Sequence, residues 1–366
     1  MLRRSLPALL STVMAVLVLG PSPARAALSC QGQWIVQPSP NPGPSNDVLN
    51  AVAALSPTDA WAVGAYAYKG GATEYTLTLH WNGRAWTQLK PLNAAGKVSA
   101  SLIAIDALSA NDIWAVGSAY PPGGSRTLTA HWDGTSWNVI SSPNPGTDNQ
   151  LLAVSFSSDT NGWAVGMSDF QPFAIHWDGT SWTNVPTPPE GGGSEAQLGG
   201  VATTGDSDAW AVGGSDLGGI LLHWDGTTWT DVAPADASAV FGGLAALSSS
   251  DAWAVGSSIE RWNGSAWQVI SSPAVTNGSL GSVSAPSSSA AWAVGSRTGY
   301  VHGTFVSRTL AEQWDGSSWQ VTNTPNPNQV ENYLDSVSAL SGSAAWAVGY
   351  QRGLNSESRT LIMVHC

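Results

Sequence analysis

The string Trp61-Ala62-Val63-Gly64 alternates large and small side chains, and it returns at Trp114, Trp163, Trp210, Trp253, Trp292 and Trp346. Period-two alternation predicts a strand with Trp and Val on one face and little on the other. Ahead of the first copy lies a strand of small residues, Leu49 to Leu55, and then the turn sequence Ser56-Pro57-Thr58-Asp59. After it comes a third strand of alternating polar and apolar residues, Thr76 to Trp81. Asn82-Gly83 predicts a tight hairpin into a fourth strand at Trp86, because Asn-Gly and Asp-Gly supply the positive φ such turns need. The Trp-(Asp/Asn)-Gly-x-x-Trp unit recurs from Trp132, Trp177, Trp224, Trp262 and Trp314. A Pro-rich segment, clearest as Ser142-Pro143-Asn144-Pro145-Gly146, blocks strand continuation and crosses to the next repeat.

Successive Trp-Ala-Val-Gly copies are 39 to 54 residues apart, the period of propeller blades. Four antiparallel strands cannot bury their faces singly, so seven such units predict an all-β, seven-bladed propeller. In it, the Trp of one blade should lie over the Ala and Gly of the next. The seventh repeat, from Leu334 to His365, stops before its fourth strand. That strand stands at the other end of the chain as Trp34-Ile35-Val36, followed by the same linker, Pro38 to Pro42. The ring should therefore be closed by the N-terminal strand completing the C-terminal blade.

Cys30 and Cys366 both fall where Asp133 falls in a complete hairpin, so a disulfide between them would replace the missing turn. The competing reading makes Cys30 a lipidated N-terminus, from the faint lipoprotein pattern Ala27-Leu28-Ser29-Cys30.

Met1 to Ala26 reads as a secretory signal peptide: Arg3 and Arg4, an apolar stretch from Leu9 to Leu19, and the cleavage signal Ala24-Arg25-Ala26. Export follows as the expectation, and it makes the disulfide chemically available. Residues 27–366 then form one domain. No second membrane-spanning candidate follows, so no membrane insertion is expected. Of the 13 basic residues three lie in the signal, which leaves ten against 25 acidic ones and a net charge of −15. So acidic a chain disfavours nucleic acid and anionic lipid as partners. Much of that acidity is turn chemistry.

These features resemble secreted bacterial seven-bladed β-propellers, in the broad neighbourhood of kelch, galactose-oxidase-like and Asp-box proteins. The kelch double glycine is absent, however, and Asp133-Gly134-Thr135-Ser136-Trp137 lacks the residue that an Asp-box carries between Asp and Gly. The resemblance thus implies architecture and leaves function open.

No nucleophile elbow, zinc spacing, phosphate loop or calcium loop occurs, so no cofactor, metal or catalytic residue is expected. Five histidines (His80, His131, His176, His223, His365) precede or replace the third-strand Trp in separate blades, which points to a structural role. Asn263-Gly264-Ser265 and Asn277-Gly278-Ser279 match glycan acceptor sites and carry little weight. Function is expected where the repeats differ. The segments between the Trp-Ala-Val-Gly string and the third-strand Trp are long in blades 6, 7, 1 and 2 and nearly absent in blade 5. They share one face with the blade-to-blade crossings, and that face holds all seven tyrosines. Candidate ligand-binding residues are Tyr66, Tyr68, Tyr75, Tyr120, Arg126, Tyr300, Arg308, Tyr350 and Arg359, residue types that anchor interfaces. Three of the arginines share the string Ser-Arg-Thr-Leu. The expected function is a secreted, monomeric, non-catalytic module that binds an extracellular glycan or protein. A glycosidase acting on a carboxylate-bearing sugar and a structural spacer are the alternatives.

Overall fold

The computed structural model describes residues 30–67, 73–93, 98–189, 195–273, 278–354 and 357–366. Seven four-stranded antiparallel sheets form the blades, six of them in simple chain order. Blade 2 is representative: Ser99–Ser109 lies innermost, followed outward by Asp112–Tyr120, Arg126–Trp132 and Trp137–Ile140. Blade 7 consists of Glu331–Ser341, Ala344–Arg352 and Ser358–His365, and its outer strand is Trp34–Gln37 from the N-terminus. Trp34 pairs with His365 in that closure. Cys30 and Cys366 are disulfide-bonded with Cα atoms 5.0 Å apart, and Gly32 N–H donates to the Cys366 carbonyl at 2.8 Å. The disulfide thus stands where a hairpin turn closes the other blades.

The blade interfaces explain the repeated tryptophans. Trp61 packs on Ala115, Trp132 and Trp137 of the next blade, with ring centroids at 5.0 Å and 6.0 Å from the two tryptophans. The same trio recurs as Trp114 with Trp177 and Trp182, and as Trp163 with Trp224 and Trp229. In each trio one contact is edge-to-face and the other tilted, and edge-to-face packing at such separations is favoured by the aromatic quadrupoles. At the closure Trp292 meets Trp34 and His365, so the histidine stands in for the missing Trp. It does so down to its polar contact: His365 Nδ1 lies 2.9 Å from the Ser343 carbonyl, as Trp132 Nε1 donates to the Ala110 carbonyl at 3.2 Å.

The expected stacking holds for alanine and fails for glycine. Each inner strand carries a β-bulge, as at Leu49/Ala51, Leu102/Ala104 and Leu151/Ala153. The bulge pushes an inner-strand carbonyl onto the Gly of the neighbouring second strand. A Cβ on Gly64 would lie 2.1 Å from the Val48 oxygen, and Gly117, Gly166, Gly213, Gly256, Gly295 and Gly349 are equally crowded by their own blade. The glycine therefore makes room for a bulge within the blade and not for a Trp of the blade beside it.

The bulge also shapes the axis. The extra residue of each inner strand points into a central channel of about 370 Å³. Around the ring these residues are Asn50, Ile103, Leu152, Gly199, Gly242, Gly281 and Asp335.

Candidate binding face

The turns joining first to second strands and the Asp-Gly hairpins share one end of the ring; Gly134 sits against Asn111, for example. That end is tied down by short bonds. Asp133 accepts from Thr135 N–H at 2.8 Å, Thr135 hydroxyl at 2.6 Å and Ser136 N–H at 2.9 Å. These donors hold its carboxyl well below the usual range, and Thr180, Thr227 and Ser317 do the same for Asp178, Asp225 and Asp315, each lowered to about 2. The histidines belong to this frame. His80 Nε2 lies 2.9 Å from Asp59, His131 2.8 Å from Asp112, His223 2.8 Å from Asp208 and His176 2.6 Å from Asn161. Arg261 replaces the histidine in blade 5 and pairs with Asp251 at 2.8 Å. Among the described residues no group of three or more His, Cys, Asp or Glu could hold a metal.

The opposite end carries the second-to-third-strand connections and the crossings. Its segments are mostly extended hairpins and not the loops expected. In blade 6, Ala290–Val301 and Thr304–Trp314 run in register to a turn at His302-Gly303, which lifts the hairpin tip off the ring. Beside it, blade 5 turns back within Ser257-Ser258, so a step separates the two.

The arginine candidates are occupied. Arg126 donates to the Gly146 carbonyl at 3.3 Å, and Arg308 to the Asn328 and Gln329 carbonyls at 3.3 and 2.9 Å. Arg359 reaches the Gly43 and Pro44 carbonyls and the buried Asp47 carboxylate. The threonine of the same string completes the lock: Thr127 N–H donates to Asn144 Oδ1 at 2.8 Å and its hydroxyl to the Pro143 carbonyl at 3.1 Å. Thr309 and Thr360 repeat this on Asn326 and Asn41. Ser-Arg-Thr-Leu is thus the clasp for the Pro-Asn-Pro crossing, each guanidinium bonding a crossing carbonyl and that of Arg359 also the Asp47 and Glu357 carboxylates.

The tyrosines divide. Tyr66 is buried and stacks on the half-buried Tyr75 at 5.6 Å, which corrects its expected exposure: the two are cross-strand partners and shield each other. Tyr350, also half-buried, stacks on Tyr333 at 4.8 Å for the same reason. Burial, then the charge of Asp335, pushes the Tyr350 hydroxyl up to about 12. Tyr68 lies outside the described residues. Tyr120 and Tyr300 are exposed as expected, Tyr300 to 76 %.

Residues other than tyrosine complete the face. Twelve large hydrophobic side chains are exposed among the described residues. Four of them, Val36, Val139, Val269 and Val321, lie on outer strands at the rim. The other eight are Tyr120, Phe170, Leu217, Val240, Tyr300, Val301, Phe305 and Leu354, and every one belongs to the hairpin-and-crossing end. Tyr300 and Phe305 meet edge-to-face at 5.5 Å on the raised hairpin of blade 6. Phe170 occupies a two-residue turn at φ 62°, after Asp169 at φ 48°. A bulky residue in the left-handed region is strained, and here it holds an aromatic ring outward. Phe170 borders a surface cavity of about 400 Å³ with Met167, Val240, Glu195 and Asp216. The sequence signal for these residues was an apolar side chain at a turn flanked by short strands, which a search confined to Tyr and Arg does not see.

This architecture defines the protein as a seven-bladed β-propeller with four-stranded blades. Solved structures similar to it include YCF48 bound to D1 peptide, at a TM-score of 0.60 and 13% identity, covering 95% of this chain and 100% of that one. YCF48 from Cyanidioschyzon merolae is similar at a TM-score of 0.57 and 15% identity over 91% and 99% of the two chains. The WD40 repeats of RRP9 are similar at 0.58 and 10% over 92% and 98%. No family model and no curated protein matches the chain. The kelch and galactose-oxidase-like neighbourhood is therefore supported only as far as the shared propeller architecture.

Proposed function

We propose that the protein is a secreted, non-catalytic binding propeller that engages an extracellular protein through its hairpin-and-crossing face. The observation that carries this reading is the distribution of exposed apolar side chains: eight on that face, four on the rim and none at the Asp-Gly end among the described residues. Gathered apolar surface of this kind marks an interaction site, whereas a spacer would have no reason to sort it to one end. A protein or peptide is favoured over a glycan because the tyrosine pairs Tyr66/Tyr75 and Tyr333/Tyr350 stack on themselves, leaving fewer open rings for sugars. The similarity to a YCF48 structure that contains a peptide is consistent with this choice. Against the glycosidase alternative, Arg126, Arg308 and Arg359 are engaged with the crossings and are not gathered to clamp a sugar carboxylate. Export is supported by the leader pattern and by the disulfide, whose Cys30 Sγ is the atom a lipid anchor would need.

A displayed-peptide library and a glycan array screened against the mature protein would test this reading. Peptide hits should lose binding in the Tyr300→Ala/Phe305→Ala variant and keep it in Thr135→Ala/Thr180→Ala. Loss in the threonine variant alone would place the interface at the other end. Hits confined to the glycan array would replace the protein partner by a sugar.

A further inference from the structure

We infer that the central channel is a second binding site, specific for an alkylammonium group held by the Asp335 carboxylate. The seven bulge residues divide the ring into three contiguous sectors. Asp335 and Asn50 make a polar sector, Ile103 and Leu152 an apolar one, and Gly199, Gly242 and Gly281 an open one. No lysine or arginine lines the channel.

The two polar residues differ in what they can do. Asn50 Nδ2 donates to the Leu102 carbonyl of the next blade at 2.7 Å. Asp335 occupies the same bulge position in blade 7, where the repeat sets it towards the corresponding edge of blade 1. An ionised carboxylate has no hydrogen to donate to that edge. Among the described residues Asp335 has neither a hydrogen-bond partner nor a counter-ion, and it is partly buried in the channel wall. Asp106, the other carboxylate in the channel wall, is satisfied by the Phe156 and Ala107 N–H groups at 2.7 and 2.9 Å. Asp335 is thus a carboxylate without a donor, facing a cavity with acceptor backbone beside it and apolar walls across from it. An ammonium group supplies several N–H donors and a positive charge, and an alkyl stem fits against Ile103 and Leu152. The channel volume of about 370 Å³ falls within the range of small-ligand sites.

Burial raises the Asp335 carboxyl to about 7. The other titratable or charged groups at this end of blade 7 are Tyr333, Tyr350 and the Glu331–Arg352 pair, with Asp106 further along the channel. Competition between proton and ammonium makes binding weaken below about pH 7, approaching tenfold per pH unit.

The ammonium has two possible sources, a free alkylamine or a lysine side chain reaching in from a partner. Titration calorimetry of the mature protein at pH 8 with n-pentylamine tests the first, and N-acetyl-lysine methylamide tests the second. Saturable binding of pentylamine is expected, with no binding of n-pentanol and at least a tenfold loss in Asp335→Asn. That variant should fold, because Asn50 already occupies the same position in blade 1. Binding of pentylamine alone assigns the site to free amines, and binding of both ligands extends it to lysine side chains. Retained affinity in Asp335→Asn, equal binding of pentanol, or saturation by calcium chloride would overturn the proposal. Tyr300→Ala/Phe305→Ala should leave pentylamine binding intact, so failure here and failure of the face reading remain separate results.

Discussion

Gly166 lies under the Gln150 carbonyl so closely that a Cβ there would sit 2.0 Å from the oxygen. Both residues are fixed by the sheet, and the bulge between Leu151 and Ala153 leaves the carbonyl nowhere to move. Gly166→Ala should therefore destabilise blade 3 by about 3 kcal/mol, the upper range for overpacking. Gly281→Ala is the control, since a Cβ there meets nothing within 4 Å. Its effect should stay within about 0.5 kcal/mol. Urea midpoints that moved equally for the two variants would refute the bulge explanation.

Trp163 is fully buried, with the rings of Trp224 and Trp229 each 4.8 Å away and His176 at 4.6 Å. Trp163→Ala should cost roughly 3–5 kcal/mol, as truncation of a buried aromatic does. The same substitution at the half-exposed rim residue Val139 should be nearly silent. An unchanged denaturation midpoint for Trp163→Ala would contradict the interface trio.

The alternation in Trp-Ala-Val-Gly, the Asp-Gly turns and the displaced Trp34 strand were enough to read the propeller and its closure from sequence, because each is a local pattern. The reason for the glycine was hidden, because a bulge depends on register between two strands and a small residue looks alike whether it makes room for a ring or a carbonyl. The contacts of Arg126, Arg308 and Arg359 with the crossings were hidden for a related reason. Each occurs in a blade whose crossing reads Pro-Asn-Pro, and that co-occurrence was visible; the contact that links the two strings was not. Tyr66 and Tyr75 face each other only once the hairpin register is known, so their mutual burial could not be read from position alone.

Cys30 and Cys366 close a loop of 336 residues. On the chain-entropy model, removing the bond by Cys30→Ser/Cys366→Ser should cost on the order of 4–5 kcal/mol. Local loss is expected first, because Gly32 and Gln33 bond within the same corner. Mass spectrometry of intact mature protein should find no free thiol. Equal thermal midpoints with and without reductant would show that the strand pairing at Trp34–Gln37 holds the ring unaided.

Stability should fall as pH rises from about 4 to about 7. Asp335 is raised to about 7 and Asp47 to about 6, in both cases mainly by burial. For a carboxyl whose folded pKa exceeds its unfolded value, the folded state holds the extra proton between the two. The associated stability is complete below about pH 4 and is lost by about pH 7. Asp133, Asp178, Asp225 and Asp315 act the other way, since their hairpin donors lower them and their contribution disappears only as pH drops through the low folded values. Thermal melts should therefore place the optimum on the acidic side of neutral. Asp335→Asn should flatten the decline between pH 4 and 7, and a variant with the same slope as wild type would show that Asp335 is not its source.

Among the described residues Tyr120 and Tyr300 are the two tyrosines exposed on the proposed binding face, at 41 % and 76 %. Neither belongs to a buried core cluster, so Tyr120→Ala and Tyr300→Ala should each change stability by less than about 1 kcal/mol. Aromatic anchors carry a large share of most interfaces, so the double variant should abolish binding of any partner found by screening. Tyr66→Ala should behave in the opposite way. Its ring is buried against Tyr75, and its removal should destabilise blade 1 by about 3 kcal/mol while leaving the exposed anchors in place. Arg308→Ala gives a third pattern, in which the crossing after Pro327 loses its clasp and binding falls through disorder of that segment. Hydrogen exchange at Asn328 to Val330 separates the cases: exchange should quicken in Arg308→Ala and stay at the wild-type rate in Tyr300→Ala. If the Tyr120/Tyr300 variant bound its partner normally while the Thr135→Ala/Thr180→Ala variant did not, the functional end of the propeller would be the one bearing the Asp-Gly hairpins.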